Sequence, residues 1–600
     1  MKQEQIRNFS IIAHIDHGKS TLADRIMELT GTTNDREAKN QLLDDLAVEQ
    51  SHGITVKSKT VQNLYKADNG NTYQYNLIDT PGHVDFSYEV SKSLAASEGA
   101  LLLVDATQGI QAQTVANYRL AKQNHLTIIP VINKIDSTIA DVPKVEQQIR
   151  NLDKEFTDMT ILKISAKNGL GIHDVLEAIY QRIPAPCGEK QQPLKALIFD
   201  SLFDPFKGII AYVRIYDGII TKHTTLMLMA NEQHFSANEL GVFTPSMVPV
   251  NELYPGEVGF IMTGLKEPHL VRIGDTLTNY SVPTNQPIQG YEPVQSMVFA
   301  GFYPKNNDYN KLKLAIEKLA LNDSSFQFNL ETSTALGPGF RCGFLGILHL
   351  QIIRERLEKE YGLEVLTTSP NVTYQVHVKG QQQQDVLVVN NPVNFPYFSL
   401  IEDVEEPYVQ AEITTPNDSL GAIMKLAEKH KGIFQTMKNE ADLVTLIYNM
   451  PLSEIAYDFF SHLKSASHGY ATMNTVFIGY QLADVVKVEI HINYAKVDAL
   501  SFVLHREDAQ IMTQALVHKL KVTVPKKLYP MPVQAIIEGK VIARIDIPPL
   551  RKNAAVNGEQ RSISKKQALL RRQSANKRLE AHSDVTLTQE VFNSILELDV

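Results

Sequence analysis

The stretch Ala13-His14-Ile15-Asp16-His17-Gly18-Lys19-Ser20-Thr21 carries the residue types that grip a nucleoside triphosphate. The apolar run Phe9-Ser10-Ile11-Ile12 before it reads as a buried strand, and Leu22 to Met27 after it reads as a helix. A strand that turns through Gly-Lys-Ser into a helix is a phosphate-binding loop. Its backbone N–H groups and the helix N-terminus together attract oxygen anions. The expected nucleotide contacts are Asp16, His17, Gly18, Lys19, Ser20 and Thr21. Lys19 reaches the β- and γ-phosphates, and the Ser20 hydroxyl ligates Mg²⁺. Ala13 stands where the pattern has its first glycine.

Three further strand ends carry matching chemistry in the right order. Tyr75 to Asp79 is an apolar strand ending in an acid, followed by Thr80-Pro81-Gly82-His83. Asp79 suits a water-mediated hold on Mg²⁺, and the Gly82 N–H suits the γ-phosphate. Leu101 to Val104 is another buried strand, ending at Asp105. Ile128 to Ile132 is the next, and it ends in Asn133-Lys134-Ile135-Asp136. A carboxylate at Asp136 accepts both N1–H and the 2-amino group of guanine. Adenine offers neither donor, so the site selects guanine by leaving a charge unpaired against adenine. Ser165-Ala166-Lys167, after a fifth strand, closes the base pocket. Five unrelated buried strands would not place these motifs in this order at their C-terminal ends.

The set resembles the translational GTPases, and His83 sharpens the resemblance. In that family the histidine after Asp-Thr-Pro-Gly orients the attacking water, so His83 is the expected catalytic residue. Gly53-Ile54-Thr55 looks like the first switch, whose Thr55 completes the Mg²⁺ shell when GTP is bound. The family usually has arginine before that glycine, and here it is His52.

These residues need a scaffold of several domains. The chain has 600 residues, 43% of them hydrophobic and 21% charged, which implies three to five domains rather than one core. There is no run of about eighteen apolar residues to cross a bilayer and no signal-peptide pattern. Cys187 and Cys342 are the only cysteines, far apart and outside any metal spacing. A reduced, cytoplasmic protein without disulfides is the expectation. The net charge is −9, but the segment from Arg551 to Glu580 is +7 and the remainder −16. Positive charge is local, as in a tail that meets phosphates; a solvated helix face is the competing reading.

Residues 1–186 alternate strands and helices, which predicts a parallel sheet covered on both faces. The helix beginning at Ile172 and then Pro184 and Pro186 end this P-loop GTP-binding domain. Over 187–290, short alternating strands and glycine turns predict a small antiparallel β-barrel. It resembles the second domain of translation factors, with His223-Thr224 in place of the usual Gly-Asp. Over 291–370 a two-layer α+β sandwich is expected. Its Gly337-Pro338-Gly339-Phe340-Arg341-Cys342-Gly343 reads as a turn and a strand that another element approaches closely. A phosphate cradle there lacks the lysine before a helix. Residues 371–398 read as a linker, with a polar loop at Gln381 to Gln384. A second ferredoxin-like sandwich is expected over 399–482.

This second sandwich resembles the C-terminal domain of elongation factor G. That factor carries a whole further domain in the gap, for which about thirty residues do not suffice. The block 483–600, with Leu550-Arg551-Lys552-Asn553, Phe340 to Gly346 and Glu355-Arg356-Leu357-Glu358, resembles the LepA family, also called elongation factor four. The resemblance covers nearly the whole chain. The tail departs from it, because Ala554 to Arg561 interrupts the usual basic run; with His52, this points to a diverged paralogue. The resemblance implies a multidomain factor using GTP and Mg²⁺, with the ribosome, its rRNA and tRNA as partners. The implied role is back-translocation, or remodelling of stalled or maturing ribosomes, by a monomer. Family members also occur at the membrane periphery, though no sequence feature here would anchor one. Two alternatives stand: a BipA-like ribosomal GTPase, against which Leu550 to Asn553 argues, and a ribosome-binding module with little hydrolysis.

Overall fold

The computed structural model describes the chain apart from 15, 34–54, 56–57, 82–86, 205, 268–269, 289–295, 306–307, 324, 380–385, 441–442, 457–458, 468, 528, 551–587 and 597–600. The N-terminal unit is a six-stranded sheet. Its strands are β1 (Ile6–Ala13), β2 (Thr60–Lys66), β3 (Thr72–Asp79), β4 (Gly99–Asp105), β5 (Thr127–Asn133) and β6 (Leu162–Lys163), ordered β2-β3-β1-β4-β5-β6. β1, β3, β4, β5 and β6 run parallel, and β2 pairs antiparallel with β3. The sheet is therefore mixed at one edge, unlike the all-parallel sheet that alternating strands and helices predict. Asp68-Asn69-Gly70 supplies the tight turn that joins the hairpin, with Gly70 in the left-handed region.

The inner strands are wholly buried because helices cover both faces. Helices α1 (Lys19–Leu29) and α5 (Ile172–Arg182) enclose a core around Phe9, Leu77, Leu101 and Ile129. The opposite core holds Ile12, Leu102, Ile132 and residues of α2 (Ser87–Ala95), α3 (Ala112–Gln123) and α4 (Val142–Leu152).

Next, eight antiparallel strands from Lys195–Asp204 to Thr276–Asn279 form one sheet around a core of Ile198, Val213, Leu226 and Ile261. The basic turn at His223 takes a positive φ of 66°, a conformation the replaced Gly-Asp would reach without a side-chain clash.

Two α+β sandwiches follow. In the first, the order is Gln327–Ser333, Gly337–Phe344, Val298–Pro304, Val365–Thr367, covered by Tyr309–Asn322 and Ile347–Tyr361. The glycine-rich strand lies inside this sheet. A Cβ on Gly339 would stand 2.4 Å from the Tyr303 ring, so the glycine is what lets that ring lie flat on the sheet. In the second, Thr472–Leu482, Ile401–Pro416, Leu443–Pro451 and Ile433–Glu440 pair in that order. The segment expected as a linker is not only a loop. Tyr374–Val378 and Val386–Val389 form a hairpin that extends this sheet, because Val376 and Val389 bury in its core. The C-terminal unit is a four-stranded antiparallel sheet from Val485–Ile492 to Lys540–Ile547, packed on Ala509–Thr523 and Gln589–Leu596. Among the described residues no helix is long and apolar enough to cross a membrane.

Candidate GTP-binding site

The C-terminal ends of β1, β3, β4 and β5 lie side by side, so the motifs at those ends share one rim of the sheet. Gly18 precedes α1 in a left-handed conformation, φ 95°. A Cβ there would stand 2.4 Å from Asn133 Nδ2. Only a bare backbone fits against the β5 motif, and the helix N-terminus behind it is where anions gather.

Lys19 opens α1 and reaches across the rim. Its Nζ donates to Asp79 Oδ1 at 2.7 Å and Oδ2 at 2.9 Å, and to Thr55 Oγ1 at 2.8 Å. All three side chains are buried, so the ammonium and carboxylate depend on each other for charge compensation. Ser20 follows Lys19 on the same helix, and Thr21 beside it is exposed. Hydroxyls of Ser20 and Thr55 and a carboxylate of Asp79 form an all-oxygen donor set, which fits the hard cation Mg²⁺. The residues present thus suit both the phosphates and the metal.

The base motif is tied to the phosphate loop by its own side chains. Asn133 Nδ2 donates to His17 O at 2.8 Å, and Asn133 Oδ1 accepts from Ala166 N–H at 2.9 Å. Lys134, with φ 60°, donates to Asp16 O at 2.6 Å and pairs with Asp105 Oδ2 at 2.7 Å. Burial pushes the Asp105 carboxyl up, but Lys134 and the Thr107 N–H and O–H outweigh it, and its pKa lies below the ordinary value. Asp136 is exposed; chiefly the Ser165 hydroxyl holds its carboxyl below the ordinary range. Lys167 is exposed, and its carbonyl accepts from Arg25 Nη2 at 3.0 Å. The His17 ring is fully buried, and burial, then His14, lower its pKa to about 3. Its Nδ1 accepts the Asp105 N–H at 3.3 Å, as a neutral imidazole does.

The structure thus gathers Lys19, Thr55 and Asp79 into one cluster, and Asp16, His17, Asn133, Lys134 and Ala166 into a second. Asp136 and Ser165 make a third. Gly82, His83, His52, Gly53 and Ile54 lie outside the described residues. Sequence reading gives Asp105 no role, although an acid ending the apolar run Leu101 to Val104 beside a motif lysine is a visible signal. Asn117, whose Nδ2 donates to Ala13 O at 3.3 Å, leaves no such trace.

Comparison with known proteins identifies the family. Residues 4–185 match the family profile described as elongation factor Tu GTP binding domain. Residues 403–491 match elongation factor G C-terminus, and residues 492–597 match GTP-binding protein LepA C-terminus. The chain is 61% identical to "Elongation factor 4 2" of Lactiplantibacillus plantarum, over 100% of each chain. It is 48% identical to "Elongation factor 4" of Listeria innocua, over 100% of this chain and 98% of that one. A crystal structure from Thermus thermophilus shares the fold, with TM-score 0.57 and 18% identity over 80% of this chain and 97% of that one. With its GTP-binding unit in place and full-length relatives at these identities, the chain belongs to the elongation factor 4 (LepA) family of translational GTPases.

Proposed function

We propose that this factor binds GTP at the rim described above and hydrolyses it on the ribosome, where it moves tRNAs backwards or remodels stalled and maturing particles. One observation carries the chemical part: Lys19 Nζ meets Thr55 and Asp79 where the phosphate loop meets the rim. Lys19 and the Gly18 loop hold the phosphate oxygens, with the Gly82 N–H at the γ-phosphate. Asp136, Asn133, Lys134 and Ser165-Ala166-Lys167 read guanine. Mg²⁺, suited by Ser20, Thr55 and, through water, Asp79, supplies charge neutralisation on the phosphates when bound. His83 orients the attacking water. Little covalent chemistry falls to the protein, so positioning and electrostatics do the work.

Family membership supports the ribosome, through rRNA and tRNA, as the partner. A monomer in the cytoplasm, at most peripheral to the membrane, fits this role. The higher identity to a relative named as a second elongation factor 4 supports the reading of a diverged paralogue. The test is GTP turnover with and without ribosomes, for the wild type and His83→Ala. Ribosomes stimulate the wild type. The variant binds GTP almost unchanged but loses about 10²–10⁴ in stimulated rate. A wild type that occupies ribosomes without turnover identifies the binding-module alternative.

A further inference from the structure

A cavity of about 310 Å³ lies where three units meet, far in sequence from the nucleotide motifs. The first sandwich gives it Tyr303, Asn329 to Ser333 and Arg341. The hairpin segment gives Asn390 to Asn394, and the C-terminal sheet gives Asp498, Ala499 and Ser501. Arg341 belongs to the glycine-rich strand, for which the GTP site has no use.

The charged wall groups are held by the wall itself. Glu331 accepts the Tyr303 O–H at 2.9 Å and a hydrogen bond from Asn391 Nδ2. Asp498 accepts the Ser333 O–H at 2.7 Å and the Thr334 N–H at 2.6 Å. Arg341 Nη2 donates to Asn390 O. Two wall hydroxyls differ. Ser369 Oγ and Ser501 Oγ have no hydrogen-bond partner among the described residues, and these residues are 2% and 5% exposed. Native proteins seldom leave such groups unmet, and both line a cavity, so what enters it can supply the partner.

The wall also defines the guest. Two carboxylates against one guanidinium disfavour an anion such as free phosphate. Hydroxyls lie deep, while Asn329 and Asn394 with their amides, and the apolar Val393, are exposed. A fitting molecule therefore has hydroxyls at one end and a flat apolar body with polar edges at the other. Side-chain amides pair with the edges of nucleobases, and the volume lies at the lower end of small-ligand pockets. We propose that this cavity is a binding site for one uncharged nucleoside unit, its ribose toward Ser369 and Ser501 and its base against Val393, between the Asn329 and Asn394 amides. The unit is either a free nucleoside or an unstacked nucleotide of single-stranded RNA with its phosphates outside. The RNA source rests on the ribosomal reading; the free source does not.

The experiment uses the full chain saturated with GDP, so that the guanine site is filled. Cytidine and adenosine are titrated by saturation-transfer NMR, and a 4-thiouridine-containing RNA pentamer is photocrosslinked. Cytidine or adenosine binding that falls at least about tenfold in Ser501→Leu and in the rim variant Asn329→Ala establishes a free-nucleoside site. Crosslinks to 329–341 or 390–394, lost in the same variants, establish an RNA nucleotide. Asn329 is exposed, so its variant tests the proposal even where Ser501→Leu does not fold. Absence of both signals, or signals that neither variant changes, overturns it and leaves a water-filled joint. Ribosome-stimulated turnover, measured on the same preparations before GDP is added, tells that failure apart from failure of the ribosomal reading.

Discussion

At the residue scale, the proposed guanine choice rests on one carboxylate, Asp136, whose pKa chiefly the Ser165 hydroxyl lowers. In Asp136→Asn the amide accepts one N–H but places its own N–H₂ against the other donor. GTP affinity should fall on the order of tenfold or more. Xanthosine triphosphate, which has a carbonyl where guanine has its amino group, should bind the variant better than the wild type. Titration of both nucleotides checks this, and unchanged preference would remove Asp136 from the base pocket. Lys19 is a different case, because it compensates a buried charge. Lys19→Met removes the cation paired with the buried Asp79 carboxylate, which should cost about 3–5 kcal/mol of stability besides phosphate affinity. Hydrogen exchange across Thr72–Asp79 reads the first effect and nucleotide titration the second. Lys19, Ser20 and Asp136 stand out in the sequence because a phosphate loop and a guanine motif are short contiguous segments. The braces Asn133–His17 and Lys134–Asp16 join residues 116 and 118 positions apart. Such pairs exist only once β1 and β5 end on one rim, so no window of sequence shows them.

At the element scale, buried parallel strands announce themselves as apolar runs, and β1, β3, β4 and β5 are readable that way. β2 escapes because it lies at the edge, and Asn63 and Lys66 break the apolar signal of Val61 and Tyr65. The hairpin of Tyr374–Val378 and Val386–Val389 escapes for a related reason: a polar run of four glutamines in the sequence between them hides the two short valine strands. A cluster between the second sandwich and the C-terminal sheet is equally hidden, since its members come from four segments. His505 Nε2 donates to Glu406 Oε1 at 2.8 Å and its Nδ1 to Glu454 Oε1 at 3.0 Å. Lys431 faces Glu454, Glu507 and Asp508, and His430 faces Glu454. Burial alone would lower the His505 pKa, but the two carboxylates raise it from 6.5 to about 9. Burial would raise Glu454, but His430, His505 and Lys431 hold it well below the carboxylate range. The imidazolium's contribution is complete below pH 6.5 and is lost as pH rises through about 9. That of Glu454 is complete above 4.5 and is lost at lower pH. The joint is firmest between those limits. His505→Gln should therefore weaken protection of Ala495–His505 by on the order of 3 kcal/mol at about pH 6, and by much less at about pH 9.5. Hydrogen exchange suits this because a multidomain chain has no single unfolding midpoint. Equal losses at both pH values would mean the ring acts only by packing.

At the scale of the whole molecule, charge is split between an acidic body and a basic tail. The first two units are joined by buried and partly buried polar contacts. Arg214 of the second unit pairs with Glu98 of the first at 2.5 Å, and Asn8 donates both to Glu98 at 2.7 Å and to Gly256 O at 3.1 Å. The segment 551–587 lies outside the described residues, but the chain returns after it. Val591 and Phe592 bury in the C-terminal core, and Gln589 Oε1 accepts the Thr367 N–H at 2.9 Å. Cutting the chain after Leu550 would therefore remove part of a hydrophobic core along with the charge. Neutralisation in place is the cleaner test: Lys565, Lys566, Arg571 and Arg572 changed together to glutamine. Nine basic residues against two acidic ones make Arg551 to Glu580 net +7 on a body of −16. Counterions are then released only where the tail lies on phosphate, at about 0.7–0.9 of a log unit per contact. The fourfold variant should flatten the salt dependence of ribosome pelleting by a slope of up to about 3. Nucleotide affinity should not move, since Lys19 and Asp136 lie in another unit. Equal slopes would assign ribosome binding to the preceding units and leave the tail as a solvated connection to Gln589–Leu596.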